Sequence, residues 1–173
     1  LKTGEWRRVA DDYMRLEAEA LRQYLALDES QRDSHREIIL FPVQAMSNLY
    51  QMYYAQAMNN DLYHRQDPAA NQWADRVEAA FERDSILCAS YNHDIAGGKW
   101  NGMMTQAHIG QTGWRSVEVN IMPELKRVTP VGGKKMLVAV PGDETIYLEG
   151  TTGLLKFTDL GNEIQTITVG GGG

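Results

Sequence analysis

The chain has 173 residues, 43% of them hydrophobic and 23% charged, which is enough for one domain with a proper core, or for one domain and a small appendage. A net charge of -6 excludes a global field that would draw in nucleic acid or an anionic membrane surface, so neither is expected as a partner. No apolar run approaches the roughly 20 residues of a membrane-spanning helix, and a single cysteine, Cys88, excludes an intramolecular disulfide or a cluster of thiolates.

The chain opens on Leu1 without the basic and apolar segments of a signal peptide, and it closes on four glycines at 170–173. Both ends read as those of an excised piece. From Glu5 to about Asp28, the apolar residues Trp6, Val9, Ala10, Tyr13, Leu16, Ala20, Leu21, Tyr24 and Leu25 recur at three and four, with Arg, Asp and Glu between them. This pattern predicts an amphipathic helix. The acidic residues Asp11, Asp12, Glu17 and Glu19 are scattered among arginines and read as its solvated face.

A second helical pattern runs from about Asp33 to Arg65, with a wide apolar stripe that includes Leu40, Val43, Leu49, Tyr50, Tyr53 and Tyr54. Its width suits a central place in a bundle. Pro42 lies inside it, and because proline lacks a donor and presses on the preceding turn, a kink at 38–41 or a junction of two helices is expected. Asp67-Pro68 then signals a third helix, with Asp67 as N-cap and Pro68 in the first turn. Its stripe is Trp73, Val77, Ala80, Phe81, Leu87, Cys88 and Tyr91, and Gly97-Gly98 is its expected stop. Long helices joined by short loops favour an antiparallel bundle.

After Met122-Pro123 the texture changes. Residues 136–140, 145–148, 154–157 and 164–169 are short β-favouring runs separated by turn formers such as Pro141-Gly142-Asp143, and ten of the sixteen glycines fall after Val131. The fold class expected is therefore mainly α: an antiparallel helical bundle over 1–128, followed by a small, incomplete antiparallel β segment over 129–173. A sheet this small is marginal unless it packs on something or belongs to a larger one.

The densest collection of reactive side chains is the stretch 91–114, YNHDIAGGKWNGMMTQAHIGQTGW, which holds two of the four His and two of the four Trp. His93 and His108 are acid/base or ligand candidates, but their fifteen-residue spacing matches no compact metal motif, and hydrogen-bonded structural roles are the plainer reading. Gly97-Gly98-Lys99 lacks the spacing of a phosphate loop, and Lys99 is better placed near the carbonyls of a helix end. Trp100 and Trp114, with Asn101, Gln106, His108 and Gln111 around them, have the composition of a carbohydrate platform. The competing reading, preferred here, makes both rings core residues with satisfied N–H groups. No paired carboxylates on loops and no G-x-S-x-G are visible, and no cofactor is expected.

The blocks Tyr91-Asn92-His93, Ala96-Gly97-Gly98-Lys99-Trp100-Asn101, Met103-Met104, Gln106, His108-Ile109-Gly110, Thr112, Trp114 and Met122-Pro123 closely resemble a stretch near the C-terminal side of family 115 glycoside hydrolases, which are α-glucuronidases. Upstream, Leu40-Phe41-Pro42-Val43-Gln44-Ala45, Asn48-Leu49 and Met52-Tyr53 resemble a bundle helix of that family, and Val138-Ala139-Val140 resembles the entry to its C-terminal β domain. The sequence departs from the family at Gly102 and Thr105, where a histidine and an acid are usual. The resemblance implies a multidomain enzyme that removes glucuronic acid or its 4-O-methyl ether from xylan side chains by inversion, with its acid and base on a (β/α)8 barrel outside these residues. The chain would then be the non-catalytic bundle after the barrel, with the catalytic barrel of the same parent chain as its partner. A xylan-type oligosaccharide would be a further ligand, and the location would be periplasmic or extracellular. No catalytic residue carries over; His93, Lys99, Trp100, Asn101, His108 and Trp114 are the residues that would face a substrate cleft. A carbohydrate-binding module acting through Trp100 and Trp114, and a self-standing protein-interaction bundle, are the alternatives.

Overall fold

The computed structural model describes residues 1, 3–114 and 117–129, and the backbone of three short strands at 136–139, 146–148 and 168–171. The described chain is mainly helical. Helix α1 spans Glu5–Ala26, α2 Glu29–His35, α3 Phe41–His64 and α4 Ala69–Asp94. Asp67 does cap α4: its Oδ1 accepts from the Ala69 N–H at 2.8 Å, and Pro68 already has helical torsions at φ -57 and ψ -22.

Two helices meet just before Pro42, the second of the two outcomes expected there. Residues Arg36–Leu40 form one π-helical turn that joins α2 to α3, and the N–H of Phe41 bonds the Arg36 carbonyl, five residues back instead of four. Helical torsions hold at His35 and Phe41, on either side of the wider turn. The turn exposes Ile38 and Ile39, while Leu40 and Phe41 enter the core.

The helices pack antiparallel in sequence. Tyr13 stacks on Tyr50 at 4.5 Å, and Gln51 Nε2 donates to the Ala10 carbonyl at 2.8 Å, so α1 runs against α3. Asn48 Nδ2 donates to the Ala80 carbonyl at 2.8 Å, and Phe41 meets Tyr91 at 4.5 Å, so α4 does likewise on the other side. Glu17 bonds Arg83 and ties α1 to α4. Tyr54 lies between Trp6 and Trp73, so the aromatic run of α3 is packing surface, as its spacing implies.

The core of α1 is narrower than its stripe. Ala10 and Ala20 are buried against α3, whereas Leu16, Leu21 and Leu25 are exposed. Small residues let α1 approach closely, and the leucines flank the buried strip. Its charges pair along the surface, as Glu5 with Arg8 and Glu19 with Arg22. Such exposed pairs contribute little.

Three core clusters run down the bundle. Phe41, Tyr91 and Ile95 fill one end. Met52, Ala55, Val77 and Ile109 fill the middle, and Leu62, Ala70 and Val128 fill the other end. Each cluster contains a residue from beyond α4, so the chain after the last helix is part of the core. Strands β1 Met136–Ala139, β2 Ile146–Leu148 and β3 Thr168–Gly171 pair antiparallel in the order β2-β1-β3, with Val138 opposite both Tyr147 and Val169. The run expected at 154–157 and the turns expected at 141–143, 150–153 and 159–162 lie outside the described residues.

Candidate functional site

Helix α4 ends before the glycine pair. Ile95 turns extended, at φ -68 and ψ 126, because its side chain inserts fully into the Phe41–Tyr91 cluster, and Ala96, Gly97 and Gly98 then follow with positive φ. The AGG sequence reverses the chain so that 99–128 can return along the bundle.

The described residues of that returning stretch form no regular secondary structure, so their backbone groups need other partners. Asparagine side chains supply them, since an amide presents one donor edge and one acceptor, as a peptide group does. Asn92 bonds both the N–H and the carbonyl of Met104, at 2.9 and 3.0 Å. Asn71 does the same for Val128, at 2.8 and 2.9 Å. Asn59 takes Lys126, accepting from its N–H at 3.0 Å and donating to its carbonyl at 2.7 Å. Asn120 accepts from the amides of His108 and Ile109, at 2.8 and 3.0 Å.

The His-Ile-Gly block sits where these clips hold the chain against the middle of α4. Ile109 plugs the central cluster. Gly110 adopts φ +86, and a Cβ on it would lie 2.7 Å from that of Ile121, so both torsion and space demand glycine. His108 Nε2 lies 2.9 Å from Oδ1 of Asp84, a carboxylate buried on α4, and Nδ1 lies 3.0 Å from the Gln106 carbonyl. Asn120 Nδ2 donates to the other oxygen of Asp84 at 3.3 Å. Burial disfavours charge on the imidazole, but the Gln106 carbonyl and the Asp84 carboxylate outweigh it, and the His108 pKa is raised.

Beside this pair opens a cleft of about 370 Å³ lined by Cys88, Met103, Met104, Gln106, His108 and Gln111, among others. Cys88 stands one helical turn after Asp84. Burial, and then the charge of Asp84, push its thiol up to about 11, so at neutral pH it is a protonated thiol and a poor nucleophile.

Of the six residues singled out from sequence, only His108 lines the cleft. His93 and Asn101 are exposed at the surface. Lys99 places Nζ 4.7 Å from the centroid of the Trp100 ring rather than at helix carbonyls. Trp100 fits the packing reading: it is half-buried against the Phe41 cluster, and its Nε1 donates to Glu37 at 2.9 Å. Trp114 overturns that reading, since its ring is wholly exposed. The two tryptophans are therefore not a pair of like exposure. Asp84, Cys88 and Asn120 were missed; the only local signal was the four-residue step from Asp84 to Cys88 along one face of α4.

No protein-family model matches the chain, and no curated protein matches it.

Proposed function

We infer that this chain is the non-catalytic accessory bundle of a glycoside hydrolase of the α-glucuronidase type that acts on xylan side chains, with the β segment as the start of a further domain. The observation that carries the reading is what the resemblance-bearing residues do. Asn92 clips Met104, Ile95 and Ile109 fill core clusters, Gly110 answers a backbone demand, and His108 bonds buried Asp84. These are packing and positioning tasks, which suits a buttress better than a reaction centre. The described lining of the cleft holds no carboxylate, whereas a glycosidase needs two that converge.

The exposed apolar residues Leu21 and Leu25, which share one side of α1, and Ile38 and Ile39 of the π turn are surface that a catalytic barrel in the same parent chain would cover. Deletion of residues 1–128 from the parent enzyme is expected to abolish soluble expression or activity on aldouronic acids. Unchanged kinetics would sink this reading.

The exposure of Trp114 favours one second reading, in which that ring alone stacks on a xylan-type oligosaccharide. Calorimetry with glucuronoxylan oligosaccharides is then expected to detect binding that Trp114→Ala removes and Trp100→Phe retains. Absence of binding to the intact chain refutes it.

A further inference from the structure

We propose that Asp84, Cys88 and His108 form a binding site for a divalent cation of borderline softness, with Zn2+ as the type, which clasps the returning segment to α4. One oxygen, one sulfur and one nitrogen converge there: a carboxylate oxygen of Asp84, Sγ of Cys88 and a ring nitrogen of His108 all lie within 4.8 Å of one another, and His108 Nε2 is 2.9 Å from Asp84 Oδ1. This inference does not depend on the accessory-bundle reading.

The atoms behind these three are arranged as a metal site requires. The Gln106 carbonyl faces His108 Nδ1, which holds the proton on that nitrogen and aims Nε2 at the cluster. Asn120 holds Oδ2 of Asp84 and leaves Oδ1 facing the ring. Both groups are thus oriented by partners on their far sides. The third is placed by the helix, since Asp84 and Cys88 are four residues apart on α4.

Tetrahedral Zn2+ with bonds of about 2.0–2.3 Å sets its donor atoms roughly 3.5 Å apart, so the thiol must close by on the order of 1 Å. The fourth position would face the cleft, which Cys88 and His108 both line. Binding displaces the proton on Sγ to solvent, together with the Nε2 proton wherever His108 is protonated. A mixed oxygen, nitrogen and sulfur set selects Zn2+ and its congeners over Ca2+ or Mg2+, which take oxygen ligands.

Because Asp84 and Cys88 belong to α4 and His108 to the returning segment, binding to the folded chain alone stabilises their contact. The experiment is titration of the chelator-stripped chain with Zn2+, and with Co2+ as a spectroscopic probe. Expected are one equivalent bound below about 10 µM, a thiolate-to-cobalt absorption band, a raised Tm, and slower hydrogen exchange at the His108 and Ile109 amides. Cys88→Ala is expected to abolish the band and weaken Zn2+ binding by more than about tenfold, and His108→Gln to weaken it similarly. Cys88 lies outside the hydrogen bonds joining Asp84, His108 and Asn120, so its variant decides the matter if His108→Gln fails to fold. Absence of saturable one-to-one binding overturns the proposal. So does binding that Cys88→Ala leaves unchanged, which would place the ion on surface histidines.

Discussion

Replacing Asn59 by alanine tests whether side-chain amides hold the returning segment in place. Asn59 is fully buried and makes three bonds, to the Ala70 carbonyl at 2.8 Å and to the Lys126 carbonyl and N–H at 2.7 and 3.0 Å. At about 0.5–1.5 kcal/mol net for each bond, their loss costs about 3 kcal/mol, and more if the Lys126 groups stay buried without partners. For a chain of this length that lowers Tm by about 6–12 °C. Because Lys126 sits beside Val128, which plugs the Leu62 cluster, the damage is expected to concentrate there. Urea unfolding gives the free energy, and hydrogen exchange at the amides of residues 126 and 128 gives the location. Asn60→Ala is the control: Oδ1 of Asn60 is buried without a partner, so the expected cost is under about 1 kcal/mol. A loss below about 1 kcal/mol for Asn59→Ala, or exchange that speeds equally across α1, refutes the argument.

Gly110→Ala combines a left-handed torsion, at about 1–2 kcal/mol, with a clash on Ile121, and is expected to destabilise by about 2–4 kcal/mol in chemical unfolding. His35 buries both ring nitrogens without partners beside Tyr24, so His35→Phe is expected to raise stability by about 1 kcal/mol; a lower Tm would contradict this. In chelator-treated protein the raised pKa of His108 makes its contact with Asp84 a source of stability below the ordinary histidine value, lost as pH rises through the higher folded value. NMR of the His108 ring is expected to show titration above the ordinary range, and Asp84→Asn to bring it down; a ring titrating at or below that range is the contrary result.

Much of the bundle was legible because its signals are local. The stripe of α1, the Asp67-Pro68 start of α4 and the spacing of Tyr50, Tyr53 and Tyr54 act over one or two turns, and a linear reading recovers them. Pro42 was legible as marking a helix junction but not as following a π turn, because the hydrogen-bond step across the junction leaves no pattern in the residue types. The two tryptophans were indistinguishable by type; burial separated them.

The sequence by itself determined where helices begin and what kind of residues crowd the stretch 91–114. Tertiary structure alone decided which of those residues meet. The clips of Asn71 and Asn59 join positions 57 and 67 residues apart, and Asp84 reaches His108 across 24, over separations at which spacing carries no signal. An amide or a carboxylate finds its partner only after the helices have packed. Burial then makes that partner necessary, because a polar group without one costs far more inside the protein than in water.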